Sequence, residues 1–173
     1  MAIAFVVAAV VSPPLRQRLR WVAWAWQPGP ETLPVPVDGV KARQVADTWG
    51  GIRSGGRKHR GVDIFAPRGT PVRSTTAGVV TRVGTVSLGG NAVWILGPGL
   101  RIHYYAHLDR FGAFRPGDTV RAGDLLGYVG DTGNARGTPC HLHYGVYRAP
   151  GWAINPWPLL ADRIEPETPA LGS

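Results

Sequence analysis

The chain has 173 residues, which is enough for one domain with a substantial hydrophobic core. Its formal net charge of +8 comes from seventeen arginines and two lysines, and this sign of charge suits an anionic partner. Nucleic acid is disfavoured because the arginines are scattered and no recognition-helix, zinc-finger or ribonucleoprotein motif organises them. The single cysteine, Cys140, excludes an intramolecular disulfide and is expected to be a small structural residue.

The N-terminal segment, residues 1–27, begins with an apolar run at 2–11 and ends in three tryptophans. About ten helical residues cover only half of the ~30 Å hydrocarbon core of a bilayer, so the run is too short to span one. Basic residues do not precede the run, as they do in a secretory signal. We therefore expect an atypical export signal, or a leader that associates with the membrane at the headgroup level through its tryptophans.

Residues 28–44 are predicted to be a connector, because four prolines favour extended backbone and oppose helix: Pro28, Pro30, Pro34 and Pro36. The main domain is predicted to cover residues 45–160. After it, residues 161–173 lose strand character and are predicted to form a short tail.

Within 45–160 the sequence favours strands over helices. Residues 78–83, 92–96, 102–106 and 125–129 are rich in β-branched and aromatic residues. The chain's 24 glycines and 16 prolines lie in turn-like settings between such segments. The prediction is an all-β, mainly antiparallel domain.

Two parts of this domain have similar sequence patterns, and we call this similarity the internal echo. Residues 71–73 lead to a strand at 78–84, and residues 119–121 lead to a strand at 125–130. Each copy has an extended piece, a tight turn and a second strand that ends in glycine. Glycine-punctuated strands recur in unrelated β proteins, so the echo indicates duplication only weakly by itself.

Histidines and one aspartate form the chemical signature of the chain. On an extended strand His141 and His143 project to one side, and residues 59, 61 and 63 likewise share a face, with Gly61 leaving space between His59 and Asp63. Catalytic zinc takes three protein ligands and keeps a fourth position for water. His59, Asp63 and one of the paired histidines would satisfy this requirement.

The positions of the glutamates exclude one class of metalloprotease mechanism. The glutamates are Glu31, Glu165 and Glu167, so nothing between residues 32 and 164 can serve as the glutamate base of an H-E-x-x-H metalloprotease. Proton transfer then falls to an aspartate or to a histidine that is not a ligand.

One candidate is His107, and its surroundings can be predicted from strand alternation. Alternation predicts that His107 shares a face with Tyr105 and also with His103. Tyr105 would then bring a phenol to the same side of the groove as the imidazole.

The ordered motifs resemble the lysostaphin-type, LytM-like zinc peptidases that cut peptidoglycan. They are His59-x-x-x-Asp63, residues 104–108 (YYAHL) and residues 137–144 (GTPCHLHY), with further similarity through 61–72, 117–124 and Asn155-Pro156. The resemblance covers about residues 45–160 without a large gap. It implies a barrel-sandwich hybrid of the duplicated hybrid motif type, with an open zinc groove, and the internal echo agrees with this fold.

The resemblance also implies roles for the site residues. His59, Asp63 and His143 would hold one Zn²⁺ per chain, and His107 and His141 would flank the bound water and the substrate carbonyl as catalytic residues. The family pattern gives no role to His103. The implied activity is that of a zinc metalloendopeptidase acting on peptide cross-links of peptidoglycan, and this substrate places the protein outside the cytoplasm.

Two kinds of non-enzymatic domain share features with this sequence. Biotinyl- and lipoyl-carrier domains have similar hairpins, but they need a lysine at the hairpin tip, and Lys41 and Lys58 do not lie between two such strands. Some LytM-like domains have lost the site residues and activate other cell-wall hydrolases. This non-catalytic activator is the alternative function, although every site position is filled here. Arg57, Lys58 and Arg60 are predicted to lie at the groove rim, where they could attract acidic wall polymers.

Overall fold

The computed structural model describes residues 25–148 and 151–162. The predicted leader therefore lies almost wholly outside the described residues, as does most of the predicted tail. Among the described residues, no helix is both long and apolar enough to cross a membrane.

Strands dominate the described structure, and beyond residue 25 its helices are 3-10 turns of three residues. The strands are β1 Leu33–Pro34, β2 Val62–Phe65, β3 Pro71–Arg73, β4 Gly78–Val86, β5 Gly90–Gly97, β6 Arg101–Phe111, β7 Thr119–Val120, β8 Leu125–Val129, β9 His141–Arg148, β10 Trp152–Ile154 and β11 Leu160–Ala161. The helical turns are Ala42–Gln44, Ser54–Gly56, Pro98–Leu100, Gly133–Ala135 and Trp157–Leu159.

Nine strands form one sheet with the order β10-β9-β6-β5-β4-β7. Strand β2 also pairs with β9, and β8 pairs with both β6 and β3. Every pair in this sheet is antiparallel, whereas the small β1–β11 pair is parallel. The sheet is open and does not close into a barrel. The predicted all-β, mainly antiparallel fold is confirmed.

The four strands predicted from composition are all present, as β4, β5, β6 and β8. The two copies of the internal echo interlock, because β3 of the first copy pairs with β8 of the second and β4 of the first pairs with β7 of the second. Each copy thus supplies the pairing partner of the other. This exchange agrees with a duplicated hybrid motif.

The hydrophobic core lies on one face of the long strands. On β9, Leu142, Tyr144 and Val146 are fully buried in it, and the residues between them point to the other face. Burying a large apolar side chain stabilises the fold by about 1.5–3 kcal/mol. The core therefore fixes which residues of β9 are presented on the opposite face.

The connector contributes to the same core. Leu33, Val35 and Val37 are almost fully buried among the core residues, and Leu33 pairs with Leu160. Within the described residues, the connector therefore packs continuously with the strands of the sheet. The predicted boundary at 28–44 remains a prediction. Cys140 packs partly buried against the same core, in keeping with a structural role.

Candidate active site

Strand pairing brings the predicted ligands together. Strand β9 lies between β2 and β6, so that Asp63 pairs with His143 on one side and Ala106 pairs with His143 on the other. His59 lies just before β2, where its backbone N–H donates to the carbonyl of Gly51 at 2.8 Å. The sheet therefore places residues that are about eighty positions apart in the sequence side by side.

Three atoms converge at the centre of the site. His59 Nε2 lies 2.8 Å from His143 Nδ1 and 3.1 Å from Asp63 Oδ1, and His143 Nδ1 lies 3.2 Å from the same carboxylate oxygen. His59 and Asp63 are buried. The structure thus brings together the three residues proposed as metal ligands, and these three form a cluster suited to a metal ion.

The chemistry of this cluster fits zinc. His59 Nδ1 lies 2.7 Å from the Thr48 carbonyl, which can only accept, so Nδ1–H donates and the lone pair of Nε2 faces the cluster. A second imidazole and a carboxylate face the same point, and such lone pairs repel one another unless a proton or cation lies between them. Two imidazoles and one carboxylate are a ligand set that catalytic zinc prefers.

The surroundings of Asp63 keep its carboxyl group in the ionised form. Burial alone raises the pKa of its carboxyl, but the adjacent imidazoles of His143 and His59 outweigh that effect and hold the pKa well below its usual range. The carboxylate is therefore ionised at neutral pH, as a metal ligand must be.

Arg53 and Thr48 hold the ligands from outside the cluster. The Nη2 atom of Arg53 donates a hydrogen bond to Asp63 Oδ2. The Thr48 hydroxyl accepts a hydrogen bond from the Asp63 backbone N–H at 3.0 Å. The same Nη2 lies 2.8 Å from His59 Nδ1, but both are N–H donors, so we assign the hydrogen bond of Nδ1 to the Thr48 carbonyl. Sequence reasoning missed both residues, since neither belongs to a histidine or aspartate motif.

Gly61 leaves the space that the sequence predicted, and the ring of His143 fills it. A Cβ at position 61 would lie 2.7 Å from His143 Cε1 and 2.6 Å from the Tyr144 carbonyl oxygen. Both distances are too short for any side chain, so glycine is required beside the ligand ring.

Two further imidazoles border the cluster. The ring centroid of His107 lies 5.0 Å from that of His141 and 6.0 Å from that of His143, and His141 Nε2 lies 3.9 Å from Asp63 Oδ1. In each of the two rings Nδ1 is 2.8 Å from a backbone carbonyl, so Nδ1–H donates to that carbonyl and Nε2 is the ring nitrogen outside this hydrogen bond. Burial lowers the pKa of His107 to about 4, which leaves its ring neutral near pH 7.

The prediction that Tyr105 and His103 share a face with His107 is wrong. The Tyr105 hydroxyl lies in the core, 2.8 Å from the Thr75 hydroxyl, and His103 is fully buried beside it. The cause is the backbone of His107, which has a φ of +63°, a left-handed conformation that interrupts the alternation of β6. His107 therefore turns to the site together with Ala106.

A cavity of about 670 Å³ opens over the cluster. Its lining includes the five site residues and Tyr104, whose ring centroid is 5.8 Å from that of His143. Arg57, Lys58 and Arg60 line it as well, which confirms their predicted position at the groove. An extended peptide could reach the cluster through this opening.

Comparison with known proteins agrees with this arrangement. The sequence model of Peptidase family M23 matches residues 57–156. An L-Ala–D-Glu endopeptidase of Bacillus subtilis is 41% identical over 124 residues, which are 65% of this chain and 38% of the relative. The chain spans less than half the length of this and other curated relatives.

Solved structures show the same fold. The catalytic domain of the antimicrobial peptidase lysostaphin from Staphylococcus simulans matches with a TM-score of 0.55 and 32% identity, covering 60% of this chain and 78% of that domain. A zinc-containing peptidase from Vibrio cholerae matches with a TM-score of 0.57 and 31% identity, covering 70% of this chain and 37% of that protein. The family match covers more than half of the chain and includes all five histidine and aspartate residues of the site, and the chain therefore belongs to peptidase family M23.

Proposed function

We propose that this protein is a zinc metalloendopeptidase that hydrolyses peptide cross-links of bacterial peptidoglycan. The observation that carries the proposal is the convergence of His59, Asp63 and His143 within 3.2 Å of one another, beneath a cavity that two further histidines border. In this proposal the three residues hold one zinc ion per chain, and His107 and His141 are catalytic.

When bound, zinc would supply Lewis acidity towards the scissile carbonyl and lower the pKa of its water towards ~7. The protein's own part is to orient the two imidazoles at the edge of the cluster, which the carbonyls of Thr132 and Pro139 achieve by accepting from the two Nδ1–H groups. One ring would accept the proton of the attacking water. The other would stabilise the developing oxyanion and help to protonate the leaving amine.

Peptidoglycan is proposed as the substrate on the names of the relatives and the resemblance of the motifs. The Bacillus subtilis relative is named an L-Ala–D-Glu endopeptidase, and a relative from Neisseria meningitidis is named a DD-carboxypeptidase/endopeptidase. Such a substrate places the protein in the periplasm, the cell envelope or the medium. The N-terminal leader is proposed to serve export or membrane association.

The non-catalytic activator remains the second candidate function. It is disfavoured because all five site residues are present and arranged around one cavity. Metal content would separate the two candidates, since an activator with an idle site need not hold stoichiometric zinc.

Digestion of purified sacculi tests the proposal. The parent protein is expected to contain about one zinc per chain and to release new amino termini, and mass analysis of the fragments identifies the bond. Asp63→Ala should remove both the zinc and the release of fragments, because it removes one of three ligands. Full zinc content in Asp63→Ala would refute the ligand assignment, and intact sacculi with the zinc-loaded parent would refute the activity.

A further inference from the structure

The cavity over the metal cluster is charged on one side only. Apart from Asp63, its charged lining residues all come from the segment 53–60: Arg53, Arg57, Lys58 and Arg60. The hairpin between β4 and β5 and the loop before β9 line the cavity with uncharged residues: Leu88, Gly89, Asn134, Ala135, Thr138 and Pro139.

Topology places these two linings on opposite sides of the reacting centre. The segment 53–60 leads into β2, which pairs with one edge of β9, whereas β6 with His107 pairs with the other edge. The β4–β5 hairpin lies with β6, because the His107 backbone N–H donates to the Gly89 carbonyl at 2.8 Å. A peptide crossing the cluster would therefore meet cations on one side of its scissile bond and neutral residues on the other.

Three of the four cations have no carboxylate partner. Arg53 donates to Asp63, but Arg57, Lys58 and Arg60 form no ion pair with any residue in the described ranges. Some cations elsewhere are paired, as Arg68 is with Asp109 and Asp131, whereas exposed arginines away from the cavity, such as Arg115 and Arg121, form no ion pair among the described residues; the rim differs from these by its place in the cavity. These three exposed cations are therefore available to an anionic ligand, and we name them the cationic rim.

The rim lies close enough to the centre to contact a neighbour of the scissile bond. Lys58 and Arg60 adjoin the proposed ligand His59 directly, and Arg57 is two residues before it. An extended peptide advances about 3.3 Å per residue, so these long side chains reach roughly one or two substrate residues away from the bond that is cut. A carboxylate is the peptide group whose charge they complement.

We propose that the cationic rim selects substrates with a free carboxylate within about two residues of the scissile bond, on the side that the segment 53–60 binds. The proposal rests on the proposed peptidase function and names its substrate class as acidic peptides. Peptides without charge on that side, such as polyglycine, are cleaved more slowly. The contacts are electrostatic and exposed, so added salt weakens the preference.

A pair of synthetic cross-linked peptides tests this, once the sacculus digest has identified the bond. The two peptides contain that bond and differ only in whether the flanking carboxylates are free acids or primary amides. The parent is expected to prefer the acid form by about tenfold in kcat/KM, because several exposed ion pairs act together and each is weak. The difference should lie mainly in KM and should shrink as sodium chloride is raised.

Neutralising the rim should abolish this preference. The variant with Arg57→Gln, Lys58→Gln and Arg60→Gln is expected to cleave the two peptides at similar rates and to keep the parent's zinc content. The matched control replaces three exposed arginines away from the cavity, Arg43, Arg115 and Arg121, by glutamine. It removes the same charge and should keep the tenfold preference.

Several results would overturn the proposal while leaving the peptidase function intact. They are equal cleavage of both peptides by the parent, an unchanged preference in the rim variant, or an equal loss of preference in the control, which would indicate general attraction to anionic surfaces. If the triple variant does not fold, each single substitution must reduce the preference two- to threefold, and unchanged single variants would refute the proposal. A zinc-loaded parent that cuts neither peptide would instead contradict the proposed function.

Discussion

Strand β6 carries one histidine on each face of the sheet, and the two faces give this side chain different surroundings. On the cavity face, His143 and His141 point with His107 towards the carboxylate of Asp63. On the core face, His103 is fully buried, its Nδ1 is 2.8 Å from the Tyr144 hydroxyl, and its Nε2 has no hydrogen-bond partner among the described residues.

The difference shows what makes a histidine available for chemistry. On the cavity face, backbone carbonyls accept from Nδ1–H of His59, His107 and His141, and Nε2 of His59 and of His141 lies towards Asp63. On the core face, the hydroxyl groups of Thr75 and Tyr144 contact Nδ1 of His103, and the ring is fully buried. Burial lowers the pKa of both His103 and His107, so the pKa alone does not distinguish the two faces.

The largest expected effect separates the paired histidines of β9. His143→Ala should lose both zinc and activity, because it removes a proposed ligand. His141→Ala should keep its zinc yet lose activity by roughly 10²–10⁴-fold, the usual contribution of general acid–base catalysis. Zinc content by elemental analysis and turnover on cross-linked peptide measure both effects. Equal zinc loss in the two variants would mean that the assignment of the pair is wrong.

The next effect concerns His107. His107→Ala should keep its zinc but hydrolyse cross-linked peptidoglycan at least about a hundredfold more slowly, the lower end of the acid–base contribution. Because the backbone here is left-handed, alanine also introduces strain, whereas asparagine tolerates this conformation better. His107→Asn is therefore the control: if it matches the parent's turnover, His107 has no catalytic role.

A smaller effect is expected at Gly61, which contacts the ring of His143. Gly61→Ala should weaken zinc binding by about tenfold or more, a typical result of disturbing a ligand's surroundings. Gly84→Ala is a matched control, because a Cβ there meets no atom within 4 Å. Competition with a fluorescent zinc chelator measures both affinities. Parental zinc affinity in Gly61→Ala would show that the His143 ring can move aside at no cost.

The smallest effect lies on the core face and changes stability alone. Burial lowers the pKa of His103 to about 3, from 6.5 in the unfolded chain. The stability that neutral His103 contributes is therefore complete above pH 6.5 and is lost as the pH falls towards 3, because only the unfolded state binds the proton.

His103→Leu tests this contribution without touching the site. It should keep the parent's zinc content and turnover at neutral pH, and its melting temperature should fall less than the parent's between pH 6.5 and pH 4. Parallel melting curves at every pH would show that His103 does not carry this acid sensitivity.

Much of the fold could be predicted, because strand signals are local. Segments rich in β-branched and aromatic residues became β4, β5, β6 and β8, and the echo between 71–84 and 119–130 indicated a duplication, whose interlocked pairing appears only in the structure. Pairing partners were not predictable in the same way. They depend on hydrogen bonds between segments that are far apart in the chain, such as β3 with β8.

The sequence by itself determined which side chains are candidates for the proposed metal site. The spacing of His59 and Asp63, and of His141 and His143, limits the ligand set through the two-residue period of a strand, and the family motifs select His143 from the pair. The tertiary structure decided the rest. It placed Tyr105 in the core, since one left-handed residue at His107 reverses the alternation and no residue type there signals it.

Two further features became visible only in the tertiary structure: the residues that support the ligands, and the placement of the cavity's positive charges on one side. Arg53 and Thr48 contact the ligands from a loop that folds back on His59 through backbone hydrogen bonds, and no short motif encodes these side-chain contacts. In the sequence, the cationic rim is visible as three positive charges near His59. Only the folded structure shows that the other residues lining the cavity supply no acidic partner to these charges. Local periodicity thus fixes which atoms can bind a metal, and tertiary packing fixes what surrounds them.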